Sequence, residues 1–339
     1  MGPRGKRRGA WMVRLVVALG LLGPAGLLTA CGDDVATPGA TSGSTIPVGD
    51  LTVRPGELVW AVGSTVHVGD RSEDVGRRID QFVVGPHGIY YVSHGSLWFT
   101  DLDREKRVVE RLRFTSPVLS PDGRYIGFLD FSTAPASTVV YDLETGRETV
   151  RDDSGMGDAK DDLADLYEDA EPFFLGFDHE AAYSQGVDDS VFRIPLDGSD
   201  VTVQRRGTGS GRVPAAVLPP PGQGRQIRTG LGGEISPDGT VALRNLMNLR
   251  FRPVARTGDG GPLDVALGGD RNRFAIAGWL DDHRVWGAAG RARGAVSLGR
   301  SATLVACDLR PGGRCEDLSD PIPLDDHHTV MFDGRWLGF

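Results

Sequence analysis

A four-residue turn, Ser-Pro-Asp-Gly, occurs twice in the chain, and a run of β-forming residues follows each copy at once. The two copies begin at Ser120 and Ser236, and looser versions lie at 85–91 and 176–180. Proline at the second position of a type I turn presets φ, aspartate bonds its own backbone, and glycine takes the left-handed conformation. Each copy therefore predicts a tight hairpin that joins two β-strands.

A second unit follows these turns further along the chain: an apolar strand that runs into a polar turn. It appears at 98–102, 140–143, 193–196 and 305–309, and a short β-run comes after it. Together, the two units predict a group of four antiparallel strands. This group recurs at a spacing of ~40 residues, which is the pattern of β-propeller blades.

We therefore predict an all-β fold, a β-propeller of six blades with four antiparallel strands each. Five blades fall at 79–112, 115–152, 171–206, 231–270 and 273–320. The remaining blade combines strands within 57–68 with a strand from the C-terminus, either 328–332 or 335–339. Closing the ring with both chain ends removes the exposed sheet edges that would template aggregation. A count of seven blades also fits the spacing, whereas eight does not.

These repeats resemble those of TolB-type β-propellers, whose WD-like repeats carry the Ser-Pro-Asp-Gly turn between the first two strands of a blade. The resemblance covers about residues 57–320 and implies a rigid platform that binds proteins. TolB carries a separate N-terminal domain before its propeller, and residues 32–56 leave no room for one. We therefore expect the fold and the general binding role to carry over, but not membership of a Tol–Pal complex.

The N-terminal residues have the pattern of an export signal that ends in a cysteine. Residues 4–14 are basic, and the apolar stretch 15–29 is shorter than the ~20 residues that a spanning helix needs. The sequence Leu28-Thr29-Ala30-Cys31 resembles the bacterial lipobox, in which the cysteine thiol receives diacylglycerol and becomes the new N-terminus. We predict a lipoprotein signal peptide over 1–31 with lipidation at Cys31. An ordinary signal peptide that happens to contain cysteine is the alternative.

This leader predicts a protein on the extracytoplasmic face of a bacterial cell membrane. Residues 32–55 are rich in Gly, Pro, Ser and Thr and predict a flexible tether to a propeller at 56–339. Arginine outnumbers lysine 34 to 3, which is typical of a GC-rich genome and favours an actinobacterium. Arg7-Arg8 leaves both general secretion and twin-arginine export open.

The charge of the chain argues against nucleic acid as a partner. The formal net charge is −9; without residues 1–31 the chain keeps 32 basic and 46 acidic residues, a net −14. A protein with this net charge has no favourable electrostatic interaction with phosphates or anionic headgroups. We expect a monomer that is anchored to the membrane by its lipid. We expect it to bind an envelope protein or a small ligand at one mouth of the propeller.

Two insertions interrupt the repeats. The first, 152–169, is acidic, and Leu163, Leu166 and Tyr167 have the spacing of a short amphipathic helix. A calcium site is the alternative to a solvated acidic loop, but the EF-hand spacing is missing. The second, 207–229, is rich in proline and predicts an irregular surface loop that overhangs one mouth of the ring.

Cys307 and Cys315 flank a predicted hairpin and are close enough to be cross-strand neighbours. Outside the membrane we expect a structural disulfide, and a metal pair is the weaker alternative because the C-x-x-C spacing is missing.

His327 and His328 are the pair of residues in the sequence that most resembles a metal site. Adjacent strand residues point to opposite faces, so we favour a solvated loop and predict no metal site.

The sequence carries none of the common enzyme motifs: no G-x-S-x-G, no H-E-x-x-H and no P-loop. We predict no catalytic and no cofactor-binding residues, tryptophans that pack between blades, and a non-enzymatic binding platform. The alternative is a propeller hydrolase or lyase acting on envelope glycans or lactones, with carboxylates from different blades. Channel carboxylates with shifted pKa values favour the enzyme, whereas an open apolar or loop-lined mouth favours binding.

Overall fold

A computed structural model describes the chain from residue 44 onward, with gaps. The described ranges are 44–54, 56–112, 116–157, 172–205, 234–235, 241–244, 254–257, 262–263, 266–291, 298–324 and 330–333. Within these ranges the chain forms 25 β-strands and no helix. A helix with the length and apolarity to cross a membrane is accordingly not found in the described part.

The strands of the first half are β1 (Val59–Val62), β2 (Thr65–Val68), β3 (Arg71–Asp74), β4 (Gln81–Gly85), β5 (Gly88–Ser93), β6 (Ser96–Thr100), β7 (Glu105–Val109), β8 (Val118–Leu119), β9 (Tyr125–Asp130), β10 (Ser137–Asp142) and β11 (Arg147–Asp152). Those of the second half are β12 (Phe173–Phe177), β13 (Ala181–Gln185), β14 (Val191–Pro195), β15 (Thr202–Arg205), β16 (Glu234–Ile235), β17 (Val241–Arg244), β18 (Val254–Thr257), β19 (Pro262–Leu263), β20 (Arg273–Trp279), β21 (Arg284–Gly290), β22 (Ser301–Asp308), β23 (Cys315–Asp317), β24 (Ile322–Pro323) and β25 (Val330–Phe332).

The strands form six antiparallel sheets, which we number as blades. Blade 1 has the order β25-β1-β2-β3, and Trp60 of β1 lies opposite Phe332 of β25. Blades 2 to 6 follow the chain: β4–β7, β8–β11, β12–β15, β16–β19 and β20–β23, with β24 also paired to β22. The predicted six-bladed arrangement is confirmed, and the closing strand comes from the predicted segment 328–332.

Buried apolar side chains fill the interfaces between consecutive blades. Four clusters each join two neighbours: Val66 with Phe82 for blades 1 and 2, Tyr90 with Phe128 for blades 2 and 3, Val140 with Phe174 for blades 3 and 4, and Leu304 with Phe332 for blades 6 and 1. The first strands of blades 1 to 4 also contact one another, so they lie nearest the axis. Because blade 6 packs on blade 1, the sheets form a ring, and the fold is a β-propeller.

Three of the four described tryptophans contribute to these interfaces, as the sequence predicts, and Trp279 packs against a cluster within blade 6. Trp60 and Trp286 pack into the cluster between blades 6 and 1, and Trp98 packs into the one between blades 1 and 2. The rings of Trp286 and Phe332 meet edge to face with centroids 5.3 Å apart. Aromatic pairs in this geometry add to the stabilisation that comes from burial alone.

The Ser-Pro-Asp-Gly turn forms the predicted hairpin between β8 and β9. Ser120 Oγ donates to Asp122 at 2.5 Å and accepts from the Tyr125 backbone N–H at 2.9 Å. Gly123 has φ 75°, a conformation that residues with a Cβ adopt at a steric cost. The second copy, 236–239, lies outside the described residues, and the strands on either side of it, β16 and β17, pair antiparallel.

The antiparallel order sorts the connections onto two faces of the ring. Turns between the first and second strands and between the third and fourth strands of a blade share one end, which we call the hairpin face; in blade 3 these are 120–124 and 143–146. The turn between the second and third strands and the connection to the next blade share the opposite end, the connection face. In blade 3 these are 131–136 and 153–172. Both predicted insertions, 152–169 and 207–229, follow the last strand of a blade and so leave from the connection face.

Candidate functional site

Aspartates open several turns on the hairpin face, and each aspartate bonds its own turn. The residues are Asp101, Asp142, Asp178, Asp281 and Asp308. Asp101 shows the pattern: one carboxylate oxygen accepts from the Arg104 backbone N–H at 2.9 Å, and the other accepts from the Arg104 guanidinium at 2.6 Å. Arg284 and Arg310 make the same kind of contact with Asp281 and Asp308. These carboxylates therefore act as structural caps.

The ionisation of these aspartates follows from the same contacts. Hydrogen bonds from the side chain and backbone of Arg310 lower the pKa of Asp308 to about 2. The Arg284 side chain and the turn backbone likewise lower the pKa of Asp281. Burial opposes the charge on Asp101, but the hydrogen bonds from Arg104 outweigh it, so the pKa of Asp101 also lies below its ordinary value. All three carboxylates are charged at neutral pH.

The N-terminal segment 44–51, which we call the strap, lies on the hairpin face. The Ile46 N–H donates to the Gly146 carbonyl at 2.8 Å, and the Glu148 N–H donates to the Ser44 carbonyl at 3.1 Å. The strap thus pairs with the start of β11 as a short extra strand. Ile46 is 3% exposed and packs in the cluster between blades 2 and 3.

The strap continues from blade 3 across blade 2 toward blade 1. The Tyr90 hydroxyl donates to the Pro47 carbonyl at 2.7 Å, and burial raises the pKa of that phenol. Gly49 lies against the Asp101 side chain so closely that a Cβ there would collide with it. Leu51 is 2% exposed in the cluster between blades 1 and 2.

This packing shortens the segment that can serve as a tether. The sequence predicts a flexible tether over 32–55, but Ile46, Leu51 and Val53 pack against the blades. Residues 44–53 are therefore part of the propeller body. The physical reason is that the apolar side chains of this segment find partners that lie far away in sequence.

The connection face at blades 3 and 4 presents an exposed aromatic residue. Phe173 opens β12, the strand of blade 4 nearest the axis, and is 42% exposed. Its neighbour Phe174 is buried between blades 3 and 4, where its ring contacts Phe177 with centroids 5.1 Å apart. Alternation along the strand thus fixes Phe173 on the other side of β12 while Phe174 holds the strand in place.

The first residues of the acidic insertion are fixed against blade 4 on the same connection face. Asp152 caps the Ser154 N–H at 3.0 Å, and the Gly155 carbonyl accepts from the Val187 N–H at 2.9 Å. Met156 is buried in the cluster between blades 3 and 4. The insertion therefore leaves from a defined point on the connection face. The remainder of the predicted segment 152–169, including Leu163, Leu166 and Tyr167, lies outside the described residues.

Two buried hydroxyls lie beneath this part of the connection face. Thr138 Oγ1 and Ser184 Oγ are fully buried and have no hydrogen-bond partner among the described residues. Strand alternation places Thr138 on the side of Val140 and Ser184 on the side of Ala182, both of which face the interface between blades 3 and 4. A buried hydroxyl without a partner costs ~1–3 kcal/mol, so these two hydroxyls destabilise the interface between blades 3 and 4.

A cluster of charged residues on the rim joins blades 1 and 2. Burial raises the pKa of Glu73 on β3, a hydrogen bond from Thr100 lowers it, and the neighbouring Glu105 raises it again. Arg77 pairs with Glu105 at 2.9 Å and lies over the Trp98 ring at 3.6 Å. Glu73 and Glu105 belong to the outermost strands of their blades and not to the axial strands. This shifted carboxylate therefore gives no support to a catalytic site in the channel.

Cys307 and Cys315 form a disulfide in the turn between β22 and β23, where they are register partners with Cα atoms 4.0 Å apart. In the described ranges no three His, Cys, Asp or Glu side chains are placed to hold a metal ion. The remaining predicted positions, which are Cys31, His327, His328 and the segment 207–229, lie outside the described residues.

No family model matches the chain, and no curated protein matches it either. Among solved structures, TolB from Acinetobacter baumannii is 14% identical with a TM-score of 0.40, over 81% of this chain and 65% of that one. A putative TolB from Agrobacterium tumefaciens is 13% identical with a TM-score of 0.37, over 79% and 90%. A puromycin-hydrolyzing peptidase from Mycobacterium tuberculosis is 17% identical with a TM-score of 0.32, over 75% and 40%. The chain thus spans about two thirds of the first of these proteins. The strand order, rather than these similarities, defines the chain as a β-propeller.

Proposed function

We propose that the chain is an extracytoplasmic lipoprotein, held to the cell membrane by acyl chains on Cys31, whose propeller binds a partner without turning it over. The partner is an envelope protein or a small ligand, and the binding surface is the connection face of blades 3 and 4. The observation that carries the proposal is the exposed Phe173 at the start of an axial strand, on the face from which the acidic insertion leaves.

Phe173 has the properties of a binding anchor. Aromatic residues dominate the energy of binding surfaces when they sit on a rigid scaffold, because few torsions are lost on contact. Here β12 is paired to β13, and the buried Phe174 fixes the backbone. The insertion that starts at Asp152 is acidic in sequence and leaves from the same face, and polar residues of this kind are typical of the rim of interfaces.

The chain offers a matched control for this anchor. Val203 is 45% exposed, similar to Phe173, but it belongs to β15, the outermost strand of blade 4. Both residues are apolar, similarly exposed and in the same blade, but they differ in distance from the axis and in the aromatic ring. A general response to lost apolar surface would appear in both variants, whereas a site at the mouth that uses the ring would respond only to the change at Phe173.

The test is capture of partners from membranes by the full lipidated chain, with quantitative mass spectrometry of what co-purifies. We expect Phe173→Ser to weaken capture of a specific partner about tenfold and Val203→Ser to leave it unchanged. Equal capture by both variants and the wild type would remove the Phe173 surface from the proposal. Steady turnover of a glycan, ester or lactone, abolished by one carboxylate substitution, would overturn the non-enzymatic part.

The anchor is tested separately. The sequence Leu28-Thr29-Ala30-Cys31 predicts that the mature N-terminus carries acyl chains. Cys31→Ser should block processing, remove the acyl mass and release the protein from the membrane fraction. An unchanged mature mass in this variant would contradict the lipoprotein assignment.

A further inference from the structure

A carboxylate of blade 1 reaches across the outer part of the seam to blade 2. Glu73 lies on β3, the outermost strand of blade 1, and its Oε2 accepts from the Thr100 hydroxyl of blade 2 at 3.3 Å. The same hydroxyl oxygen accepts from the Leu102 backbone N–H at 3.0 Å. Thr100 is fully buried, so this short chain of hydrogen bonds is part of the packed seam. The charge on Glu73 therefore acts directly on the contact between the two blades.

A second carboxylate of the seam, Glu105 on β7, has its own partners. The Arg77 guanidinium pairs with one of its oxygens at 2.9 Å, and the Tyr91 hydroxyl donates to the other. Arg77 is also held over the Trp98 ring, 3.6 Å from the ring centre. This arginine therefore neutralises Glu105 and not Glu73.

Among the described residues, the other cations of these elements pair elsewhere. Arg71 contacts Glu57, Arg78 pairs with Asp80, Arg104 pairs with Asp101, and Arg107 lies 5.9 Å from the Trp98 ring centre. Strand alternation places Lys106 and His67 on the sheet faces turned away from this seam. The charged groups that act on Glu73 across the seam are the carboxylates of Glu105, Asp103 and Asp101. Glu73 thus faces groups of its own charge.

We infer that the seam between blades 1 and 2 is a proton-sensitive contact, in which a proton on Glu73 removes the repulsion among the carboxylates and tightens the two blades against each other in mild acid. The protonated carboxyl still accepts from Thr100 and gains a hydroxyl donor. This contact lies within the described ring and depends neither on Cys31 nor on Phe173.

The direction of the pH dependence follows from the surroundings of Glu73. Burial raises the pKa of Glu73, the hydrogen bond from Thr100 lowers it, and the three carboxylates raise it further, so it lies above its ordinary value. A carboxyl with a raised pKa in the folded chain stabilises the fold below the unfolded value of ~4.3. That contribution is lost as the pH rises through the folded pKa. Mild acid therefore strengthens this seam.

The next residue on the same strand is a control of opposite sign. Hydrogen bonds from the Ser64 side chain and from the Gly76 backbone N–H, the latter at 2.9 Å, lower the pKa of Asp74. Glu73→Gln and Asp74→Asn remove the same charge from adjacent positions of β3. A general response to lost negative charge would therefore have the same sign in both variants.

Urea unfolding of the full chain tests the effect on stability. We expect Glu73→Gln to lower the equilibrium constant of unfolding about threefold at pH 7 and to lose most of this effect at pH ~4. Asp74→Asn should raise the constant at pH 7. An unchanged or raised constant in Glu73→Gln at pH 7 would overturn the proposal.

A direct titration tests the charge coupling itself. In the full chain labelled with carbon-13 glutamate, the carboxyl signal of Glu73 is the one that Glu73→Gln removes. Its midpoint should lie above ~4.3 and should fall in Glu105→Gln, because a repelling carboxylate is lost and Arg77 is released. A midpoint at or below ~4.3, or one that Glu105→Gln leaves unchanged, would overturn the proposal whatever the unfolding result.

Discussion

The hairpin face and the connection face of the propeller are held in different ways. On the hairpin face, short turns are capped by their own aspartates, arginines pair with those carboxylates, and the strap lies across two blades. On the connection face at blades 3 and 4, Phe173 is exposed and two hydroxyls beneath the surface have no partner in the described residues. Aspartates also cap turns on the connection face, as Asp152 does at the Ser154 N–H, so the two faces differ in the docked strap and in the exposed Phe173. An exposed aromatic side chain on a rigid scaffold is the arrangement expected of a binding surface.

Opening the ring should disturb both faces and has the largest expected effect. Phe332 is 1% exposed, and its strand β25 closes blade 1 against blade 6. We expect Phe332→Ala to lower the free energy of unfolding by about 3–5 kcal/mol, because it removes a fully buried ring and leaves a cavity. Urea unfolding measures the change, and Leu318→Ala, at a residue 38% exposed, is the control. A loss below about 1 kcal/mol would mean that the closing strand does not hold the ring.

Removing the disulfide should loosen the hairpin face of blade 6 alone. Cys307 and Cys315 are eight residues apart, and closing a loop of this length contributes about 2.5 kcal/mol in the chain-entropy model. Because Cys307 is fully buried, the double change Cys307→Ala and Cys315→Ala avoids burying a hydroxyl. We expect a lower urea midpoint with an unchanged slope, and faster amide exchange in β23 but not at the turn 131–136. An unchanged midpoint would show that the hairpin is held by its strand pairing alone.

Releasing the strap tests whether the hairpin face depends on it. Ile46→Ala should lower the free energy of unfolding by about 2 kcal/mol, since a buried branched side chain is truncated at the edge of a cluster. Hydrogen exchange at the Glu148 amide, which bonds the Ser44 carbonyl, should become faster. Exchange on the connection face should not change, and Val203→Ala serves as the exposed control. Unchanged exchange at Glu148 would show that the strap docks without Ile46.

Much of the blade arrangement is predictable from the sequence because its signals are local. The turn at Ser120 is specified by four consecutive residues, and the closing strand follows from the need to pair a free edge. The strap is different. Ile46 and Leu51 lie in a short segment that also contains Pro, Gly, Ser and Thr, and their burial depends on blades that form from residues far along the chain. The composition of this segment is that of a linker, and its contacts with the blades cannot be predicted from local sequence.

The binding surface is likewise only partly predictable. The pair Phe173-Phe174 predicts that one ring points inward and the other outward, because strand side chains alternate. Which ring is buried depends on the neighbouring blade, and in the structure Phe174 packs beside Gly127 of blade 3, where a Cβ would collide with its ring. The capping role of the turn aspartates is similar: the sequence shows apolar strands that run into polar turns, but only the folded turn shows which backbone N–H groups the carboxylates accept from.

Lowering the pH should destabilise the hairpin face through protonation of Asp308. This is the smallest of the expected effects on stability. The pKa of Asp308 in the folded chain is about 2, because Arg310 bonds its carboxylate, whereas an unfolded aspartate titrates near ~3.9. A lowered pKa in the folded state stabilises the fold above pH ~4, and that contribution is lost as the pH falls from ~4 toward 2.

The size of this contribution is limited by exposure. The Arg310 side chain is 63% exposed, so solvent screens the pair, and we expect Asp308→Asn to cost under about 1 kcal/mol at pH 7. Urea unfolding at pH 7 and at pH ~3 should show the gap between wild type and Asp308→Asn shrinking in acid, while Asp320→Asn, at an exposed residue, shows no gap at either pH. A gap that widens in acid would contradict the sign. Added salt should remove part of the gap at pH 7, because it screens the arginine but leaves the backbone hydrogen bond to the carboxylate in place.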